Sequence, residues 1–214
     1  MKTIDITTWP RRHIFHFFNR MDYPQYNVCA NVDVSLTIAY LDSHNQSFFK
    51  SVLYVTCSVA NAIAEFRHRI RDGQVVEHDL VHPSFTVLTD EKLFGFCAVE
   101  YTADIKTFFE RTQRAIAQAK KAPTLADEAG RDDYLFVSSL PWIHFTSISH
   151  PIHMHPADSV PRISWGKPAA ENGKILMPLS VQVHHGLADG YHLGAYFEQV
   201  QHMFDQPEKT LSMS

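Results

Sequence analysis

The sequence predicts a single α+β domain, residues 1–214, in which a mostly antiparallel or mixed sheet is combined with helices. Three observations lead to this fold class. A chain of 214 residues buries about 70% of its unfolded surface, which gives a core without disulfides or metal. The content of 45% hydrophobic and 12% aromatic residues is typical of globular proteins. Strand-like segments outnumber helical ones and do not alternate regularly with them, as a parallel sheet would require.

The first half of the chain is predicted to contain two helices and four strands. Thr8 is of a type that caps helices and Pro10 suits a first turn, so a helix is predicted through Phe18. Residues 26–40 are rich in Val, Ile and Thr with partial alternation, which indicates a strand. Residues 47–71 have apolar side chains at helical spacing and predict a long helix. Further β-rich segments lie at residues 75–81, 84–88 and 94–101.

The second half begins with an amphipathic helix over residues 103–121 and a polar break over residues 122–133. A final helix is predicted over residues 190–203. Between them, segments rich in β-branched and aromatic residues predict strands at residues 134–139, 143–147, 160–165 and 175–184. The helices are too unevenly placed to separate these strands one by one, which favours antiparallel or mixed pairing.

Composition excludes several classes of partner. The net charge of −4 is spread along the chain, and no Lys/Arg block is typical of a nucleic-acid-binding stripe. The apolar runs fall short of the ~18 residues that a membrane span requires, and the N-terminus lacks the apolar centre of a secretory signal. Cys29, Cys57 and Cys97 are odd in number and form no CxxC pair. We therefore predict a cytoplasmic protein with free thiols that binds neither nucleic acid nor membrane.

The chain has 14 histidines, a number that raises the question of a metal site. The densest group, His150, His153 and His155, lies in a segment bounded by prolines, and the others are scattered. A tetrahedral site there would need further ligands from elsewhere in the fold. We therefore predict a surface loop or edge segment at this position and no metal.

The segment most informative about chemistry covers residues 180–192, SVQVHHGLADGYH. An apolar strand runs into His184 and His185, and Asp189 and Gly190 follow. Glycine permits a backbone turn that other residues resist. An imidazole, with an unperturbed pKa of about 6.5, is suited to remove a proton from a hydroxyl near neutral pH. Taken alone, the pattern is equally compatible with two hydrogen-bonded histidines beside an ordinary Asp-Gly turn.

The segment QVHHGLADGYH resembles the signature of chloramphenicol acetyltransferases, and HHxxxDG is shared by a wider group of CoA-dependent acyltransferases. Other blocks resemble the same family in order and spacing from about residue 5 to residue 205. These blocks are WPRRH at 9–13, HPSFTV at 82–87, FVSSLPW at 136–142 and LMPLS at 176–180. The resemblance implies an antibiotic-modifying enzyme that transfers acetyl from acetyl-CoA to a hydroxyl of chloramphenicol or a related small acceptor.

The resemblance also implies roles for individual residues. His185 matches the general base, which deprotonates the acceptor hydroxyl so that it attacks the thioester of acetyl-CoA directly. Ser138 matches the serine that donates to the oxyanion of the tetrahedral intermediate. Asp189 and Arg11 match two residues that pair with each other and support the site. His184 is expected to be a structural neighbour.

Further positions match residues of the substrate and CoA pockets. Ser164 lies where the family keeps a hydroxyl that helps to hold an ordered water. The four aromatic matches are Trp142 near the CoA channel, Phe49 at a position that is commonly Tyr, and Tyr26 and Phe94 in the acceptor pocket. The implied fold is a two-layer sandwich that assembles as a homotrimer with each active site between subunits.

The sequence departs from the family at the acceptor pocket, where Asp22 and Arg162 fall at positions that are usually aliphatic. Because unpaired charges are costly in an apolar pocket, three arrangements are open: the two pair with each other, the pocket accepts a more polar molecule, or Asp22 lies outside the pocket. Three alternatives therefore stay open: an enzyme of this fold with a more polar acceptor, an acyltransferase core of 2-oxo acid dehydrogenase complexes, and a non-catalytic binding protein. The second is expected to carry a lipoyl module, and the third to lack His185 or Ser138.

Overall fold

The computed structural model describes residues 1–126, 128 and 130–213. Within them the chain forms a two-layer α+β structure, so the predicted fold class is confirmed. The strands are β1 Lys2–Ile4, β2 Gln25–Asp33, β3 His68–Arg71, β4 Gln74–Glu77, β5 His82–Leu88, β6 Phe94–Ala98, β7 Tyr134–Leu140, β8 Arg162–Gly166, β9 Ala169–Glu171 and β10 Lys174–His184. The helices are α1 Arg12–Phe18, α2 Ser35–His44, α3 Phe48–Ala62, α4 Ile105–Lys121, α5 Gly190–Asp205 and α6 Pro207–Thr210, with a 3-10 turn at Ala64–Arg67.

The main sheet has the strand order β2-β10-β8-β7-β5-β6, and β9 pairs with the start of β10. Strand β7 runs parallel to both β5 and β8, whereas the other pairs are antiparallel. The sheet is therefore mixed, as the uneven placement of the helices predicted. A small antiparallel sheet, β1-β4-β3, lies beside it.

The two faces of the main sheet differ because side chains alternate along each strand. Leu179, Val181 and Val183 of β10 join one hydrophobic core with α3 and α5. The alternate positions, Ser180 and Gln182, are polar and face away from that core. Helices cover one face of the sheet, and the other face carries polar side chains.

Two predicted elements near the N-terminus are wrong in extent. The helix expected from Thr8 begins at Arg12, because the Thr8 hydroxyl bonds to Asp5 and does not cap it. The strand expected over residues 26–40 ends at Asp33, whose Oδ1 accepts from the backbone N and Oγ of Ser35 at 3.0 and 2.6 Å. This turn starts helix α2, which the β-branched composition of the segment concealed.

The long helix expected over residues 47–71 ends at Ala62 and gives way to the 3-10 turn and β3. The fully buried Arg69 explains the change, since its guanidinium donates to the backbone carbonyls of Phe66, Asp132 and Tyr134. These bonds tie the segment to the start of β7 in an extended conformation.

The strand expected over residues 143–147 does not form. A turn instead follows β7, with the Ile143 N–H bonded to the carbonyl of Leu140 at 3.2 Å. Elements β1, β9 and α6 had no predicted counterpart. In the described part of the chain, no helix is both long and apolar enough to cross a membrane. All three cysteines are free.

Candidate active site

His185 follows directly on β10, and its ring is held between two aromatic rings. The ring centroid lies 3.9 Å from that of Phe18 and 4.5 Å from that of Tyr26, both stacked. The backbone N–H of His185 donates to the backbone carbonyl of Pro24 at 2.8 Å. Nδ1 is buried without a hydrogen-bond partner among the described residues. Stacking from both sides therefore fixes the plane of the imidazole before any substrate binds.

His184 differs from its neighbour in environment. Its side chain is 1% exposed, and burial, together with the charge of His185, lowers its pKa to about 4. Nδ1 accepts from the N–H of Gly186 at 3.2 Å, and a Cβ at that glycine would lie 3.1 Å from the ring. His184 is therefore a neutral, packed histidine that shapes the turn, as the sequence predicted.

The turn after His185 ends on Asp189, the N-cap of α5. The carboxylate accepts from Nη1 of Arg11 at 2.8 Å and from the N–H of Tyr191 at 3.1 Å. Burial alone would raise the pKa of Asp189, but the hydrogen bond and charge of Arg11 outweigh it and the pKa is lowered. The expected ion pair is present, and it joins the N-terminal segment to the loop that carries His185.

Sequence reasoning missed a third partner of Asp189. Nδ1 of His192 lies 2.8 Å from the Oδ1 of that carboxylate, and Nε2 lies 3.5 Å from Oε1 of Glu65. His192 stands three residues after a helix-capping aspartate, a spacing that signals a capping interaction. Glu65 carries no such signal, because it lies in the 3-10 turn that was predicted to be helix.

A cavity of about 500 Å³ opens on the polar side of the main sheet, between β5–β8 and the segment around residues 150–158. Its lining is Ser84, Phe85, Thr86, Phe94, Phe96, Phe136, Val137, Ser138, His150, Pro151, Ile152, His153, Asp158 and Arg162. Ser138 is half-buried, and its hydroxyl makes no hydrogen bond within the described part of the chain. That hydroxyl is thus free to donate to a bound molecule.

Ser164 lies next to the cavity on β8, opposite Ser138 in the ladder. Its side chain is 1% exposed, and its Oγ lies 3.2 Å from Nε2 of His150. Burial and the charge of Arg162 lower the pKa of His150, so this histidine is neutral at pH 7. The predicted water-holding hydroxyl therefore has a histidine partner in this chain.

His185 and Ser138 are not brought together within one chain. Ser138 is in register with Ser164, which is in register with Ser180, five residues before His185. Five residues along the strands and two strand spacings across them separate the two sites by about 19 Å. Direct cooperation of these residues would require a second copy of the chain.

The comparisons with known proteins identify the family of this chain. The family model of chloramphenicol acetyltransferases matches residues 1–201. The chain belongs to the chloramphenicol acetyltransferase family. A chloramphenicol acetyltransferase of Klebsiella sp is 28% identical over 205 residues, which cover 95% of this chain and 94% of that protein. One of Bacillus pumilus is 28% identical over 206 residues, with the same coverage. The predicted family and enzyme type are confirmed.

Solved structures agree as well. A chloramphenicol acetyltransferase superposes with a TM-score of 0.86 at 26% identity, covering 95% of this chain and 99% of that one. The dihydrolipoamide acetyltransferase of Azotobacter vinelandii superposes with a TM-score of 0.70 at 16% identity, covering 94% and 88%. This second likeness shows a shared fold alone. Family membership therefore separates the chain from the acyltransferase cores considered as an alternative.

The aromatic residues matched to the family's pockets lie in different environments. Phe94 is 53% exposed and lines the cavity, whereas Tyr26 stacks on His185. Trp142 is 68% exposed in the turn after β7. Phe49 packs between the layers, with its ring centroid 5.3 Å from that of Phe85. Of the four, the structure brings only Phe94 to the cavity that contains Ser138.

Arg162 is the main departure from the apolar lining expected in this family. Its Nη2 lies 2.5 Å from Oδ2 of Asp158, and its guanidinium stands over the ring of Phe136 at 5.2 Å. Asp22 is exposed and does not line the cavity. The proposed pairing of Asp22 with Arg162 is therefore wrong, since Asp158 is four residues away along the chain and already neutralises the guanidinium.

The histidine-rich segment does not assemble a metal centre in the described residues. There, no group of three or more His, Cys, Asp or Glu side chains is arranged to hold a metal ion. His150 faces Ser164, and His153 lines the cavity. The segment was predicted to be a surface loop or edge segment; it is irregular and mostly exposed, and part of it forms one wall of the cavity.

Proposed function

We propose that the protein transfers the acetyl group of acetyl-CoA to a hydroxyl of chloramphenicol, with His185 as the general base. The observation that carries the proposal is the clamped imidazole, which stacks on Phe18 and Tyr26 at the end of β10. Family membership supplies the reaction type and the class of acceptor. The cavity of about 500 Å³, lined by Ser138 and several phenylalanines, has the size and aromatic character that a small nitroaromatic acceptor needs.

In the proposed reaction, Nε2 of His185 takes the proton of the acceptor hydroxyl, because Nδ1 is buried and faces no solvent. The oxygen then attacks the thioester carbonyl, and the Ser138 hydroxyl donates to the oxyanion that forms. Collapse of this intermediate breaks the C–S bond, and His185 returns its proton to the departing sulfur of CoA. The products are the acetyl ester and free CoA. One aimed donor of this kind lowers the barrier by about 3 kcal/mol.

We further infer that the active form is a homotrimer in which each copy supplies His185 to the cavity of its neighbour. The separation of about 19 Å between His185 and Ser138 along one chain supports an intersubunit site. The proposal treats residues 1–214 as one catalytic domain in the cytoplasm, with no resident metal.

The first test follows free CoA with a thiol reagent after acetyl-CoA and chloramphenicol are mixed with the pure protein. His185→Ala should lower kcat by at least about 10²-fold, as expected for a lost general base, while calorimetric binding of acetyl-CoA is retained. The matched control is His202→Ala, which alters an exposed histidine of α5 and should leave kcat unchanged. Near-normal turnover by His185→Ala would remove this residue from the mechanism.

The second test addresses the shared site. His185→Ala and Ser138→Ala proteins should each have kcat lowered by about 10²-fold, and unfolding and refolding them together yields mixed assemblies. If neighbouring copies share each site, random mixing restores about a quarter of the wild-type sites. Recovery of activity in the mixture supports the intersubunit site. Two variants that fold and assemble together but stay inactive would place both residues in the same chain's site and refute the arrangement.

A further inference from the structure

His192 occupies the first turn of α5, behind the turn that carries His185, and both of its ring nitrogens face carboxylates. We propose that His192 is a positioning residue, held as an imidazolium between Glu65 and Asp189, which keeps the His185 turn in its active geometry. The effect on turnover rests on the proposed function, whereas the charge state of His192 does not.

The positions of the two carboxylates favour a ring that donates from both nitrogens. Nδ1 lies 2.8 Å from Oδ1 of Asp189, and Nε2 lies 3.5 Å from Oε1 of Glu65. A neutral imidazole has one N–H, so one nitrogen would turn a lone pair toward a carboxylate oxygen. Only the imidazolium donates to both. The His192 side chain is 13% exposed, so both contacts are largely shielded from water.

A competing arrangement is available to the neutral ring. The backbone N–H of Asp189 lies 3.2 Å from Nδ1 of His192, so this nitrogen could accept instead of donate. That contact is longer than the 2.8 Å between Nδ1 and Oδ1 of the carboxylate. It would also leave a lone pair of Nδ1 facing a lone pair of Oδ1. The Nε2–H of this tautomer would still point toward Glu65, so it is the short contact between Nδ1 and Oδ1 of Asp189 that disfavours the neutral ring.

The charges around His192 come from three parts of the chain. Glu65 faces it from the 3-10 turn, Asp189 from the N-cap of α5, and Arg11 lies beyond that aspartate on the N-terminal segment. When His192 is charged, the net charge of Glu65, Asp189, Arg11 and His192 together is zero. His68 also lies near Glu65, but burial lowers its pKa to about 4, so it stays neutral at pH 7.

These neighbours determine the direction in which the pKa of His192 is shifted. The hydrogen bond to Glu65 and the charges of both carboxylates raise the pKa of His192 against burial and Arg11. A cation in the first turn is opposed by the helix dipole, which explains why two carboxylates are needed to hold it. Because the pKa is raised, the support is complete below about pH 6.5 and is lost as pH rises through the folded pKa.

The link to the proposed base runs through a short loop. Asp189 ends the turn in which the N–H groups of Leu187 and Ala188 bond to the carbonyl of His184 at 2.8 and 3.1 Å. The next residue, Gly190, packs close to the Tyr26 hydroxyl, 3.5 Å from where a Cβ would stand. Tyr26 in turn stacks on His185. Displacement of the Asp189 carboxylate would therefore move both the backbone of the turn after His185 and the Tyr26 ring that stacks on His185.

The first experiment measures the charge state without any assay of turnover. Histidine ring resonances of the ¹⁵N-labelled protein are followed from pH 5 to pH 9, and the His192 signals are assigned by their loss in His192→Gln. We expect a pKa above its ordinary value of about 6.5, and a lower one in Glu65→Gln. A pKa at or below the ordinary value, or no change in Glu65→Gln, would overturn the proposal even if the enzyme is active.

The second experiment measures the consequence for catalysis. His192→Gln should lower kcat about five- to tenfold with KM for acetyl-CoA unchanged, because the loss lies in alignment of the base. Glu65→Gln should shift the alkaline limb of the kcat profile to lower pH, as in the titration. His202→Gln on the same helix is the control and should alter neither. An alkaline limb that stays in place in Glu65→Gln would leave His192 as a simple helix cap and refute the proposal.

Discussion

Replacement of Asp189 separates two contributions of one side chain. This carboxylate caps helix α5 and binds Arg11, and the two roles respond differently to substitution. Asp189→Asn keeps a side chain that caps helices well but removes the charge. Asp189→Ala removes both. The comparison therefore measures the cap and the ion pair in the same structural context.

The magnitudes follow from burial and from the remaining partners. Losing the cap costs about 1 kcal/mol. Arg11 is 13% exposed at its side chain, and its Nε and Nη2 are buried without partners among the described residues. Removing the carboxylate leaves a nearly buried cation unpaired, a penalty of about 3 kcal/mol at the low end of the range for buried pairs, because Asp189 is 26% exposed. We therefore expect losses of about 4 kcal/mol for Asp189→Ala and about 3 kcal/mol for Asp189→Asn.

The assay is equilibrium unfolding in urea at one fixed protomer concentration, since assembly makes stability depend on concentration. A double-mutant cycle of Asp189→Asn with Arg11→Gln should give a coupling of about 0.5–3 kcal/mol. Arg11→Gln alone should cost less than Asp189→Asn, because His192 still faces the carboxylate. Additive losses in the cycle, or equal losses in the asparagine and alanine variants, would refute the two-role interpretation of Asp189.

Three further predictions follow from the cavity and from the buried histidine. Ser138→Ala should lower kcat and kcat/KM together by about 10²-fold with little change in unfolding midpoint, whereas an effect confined to KM would make it a binding residue. Arg162→Ile should destabilise by about 3 kcal/mol, because it leaves the nearly buried Asp158 without a counter-ion and with only the N–H of Val160 as a partner among the described residues, and adding Asp158→Leu should recover most of this loss in urea unfolding. No recovery in the double variant would show that the pair is not the cause. Because burial holds the pKa of His184 at about 4, the unfolded state binds its proton first, and stability should fall by roughly 3 kcal/mol between about pH 6.5 and pH 4. His184→Asn should lose less stability over that range, and an equal loss would assign the acid sensitivity to other groups.

Sequence patterns located the long elements and failed where local bonding overrides propensity. Strand β10 and helix α4 were predicted within a few residues, because each has one uninterrupted periodicity. Helix α2 was missed, since Thr37 and Ile38 favour strands and only the bond from Ser35 to Asp33 reverses that preference. The end of α3 depends on the buried Arg69, whose acceptors lie up to 65 residues away. No local pattern contains that information.

The candidate site divides in the same way. The pairing of Arg11 with Asp189 was predicted from resemblance and is present, although 178 residues separate the two. Asp158 was not foreseen as the partner of Arg162, because it lies in an irregular segment without periodicity. Phe94 and Ser138 both line the cavity of about 500 Å³. The roles assigned to them stay predictions until the variants are measured.

The pairing of β2 with β10 decides when this protein becomes able to fold. The second strand in the chain forms its ladder with the last one, from Gln25 opposite His184 to Asp33 opposite Leu176. At 5–20 residues per second, a ribosome exposes the edge of β2 for about 7–30 s before its partner is made. The stacking of Phe18 on His185 and the bond from Arg11 to Asp189 likewise join residues 11–18 to residues 185–189. The nascent chain is therefore without an active site until residues 184–189 have been made, and the edge of β2 stays unpaired until then.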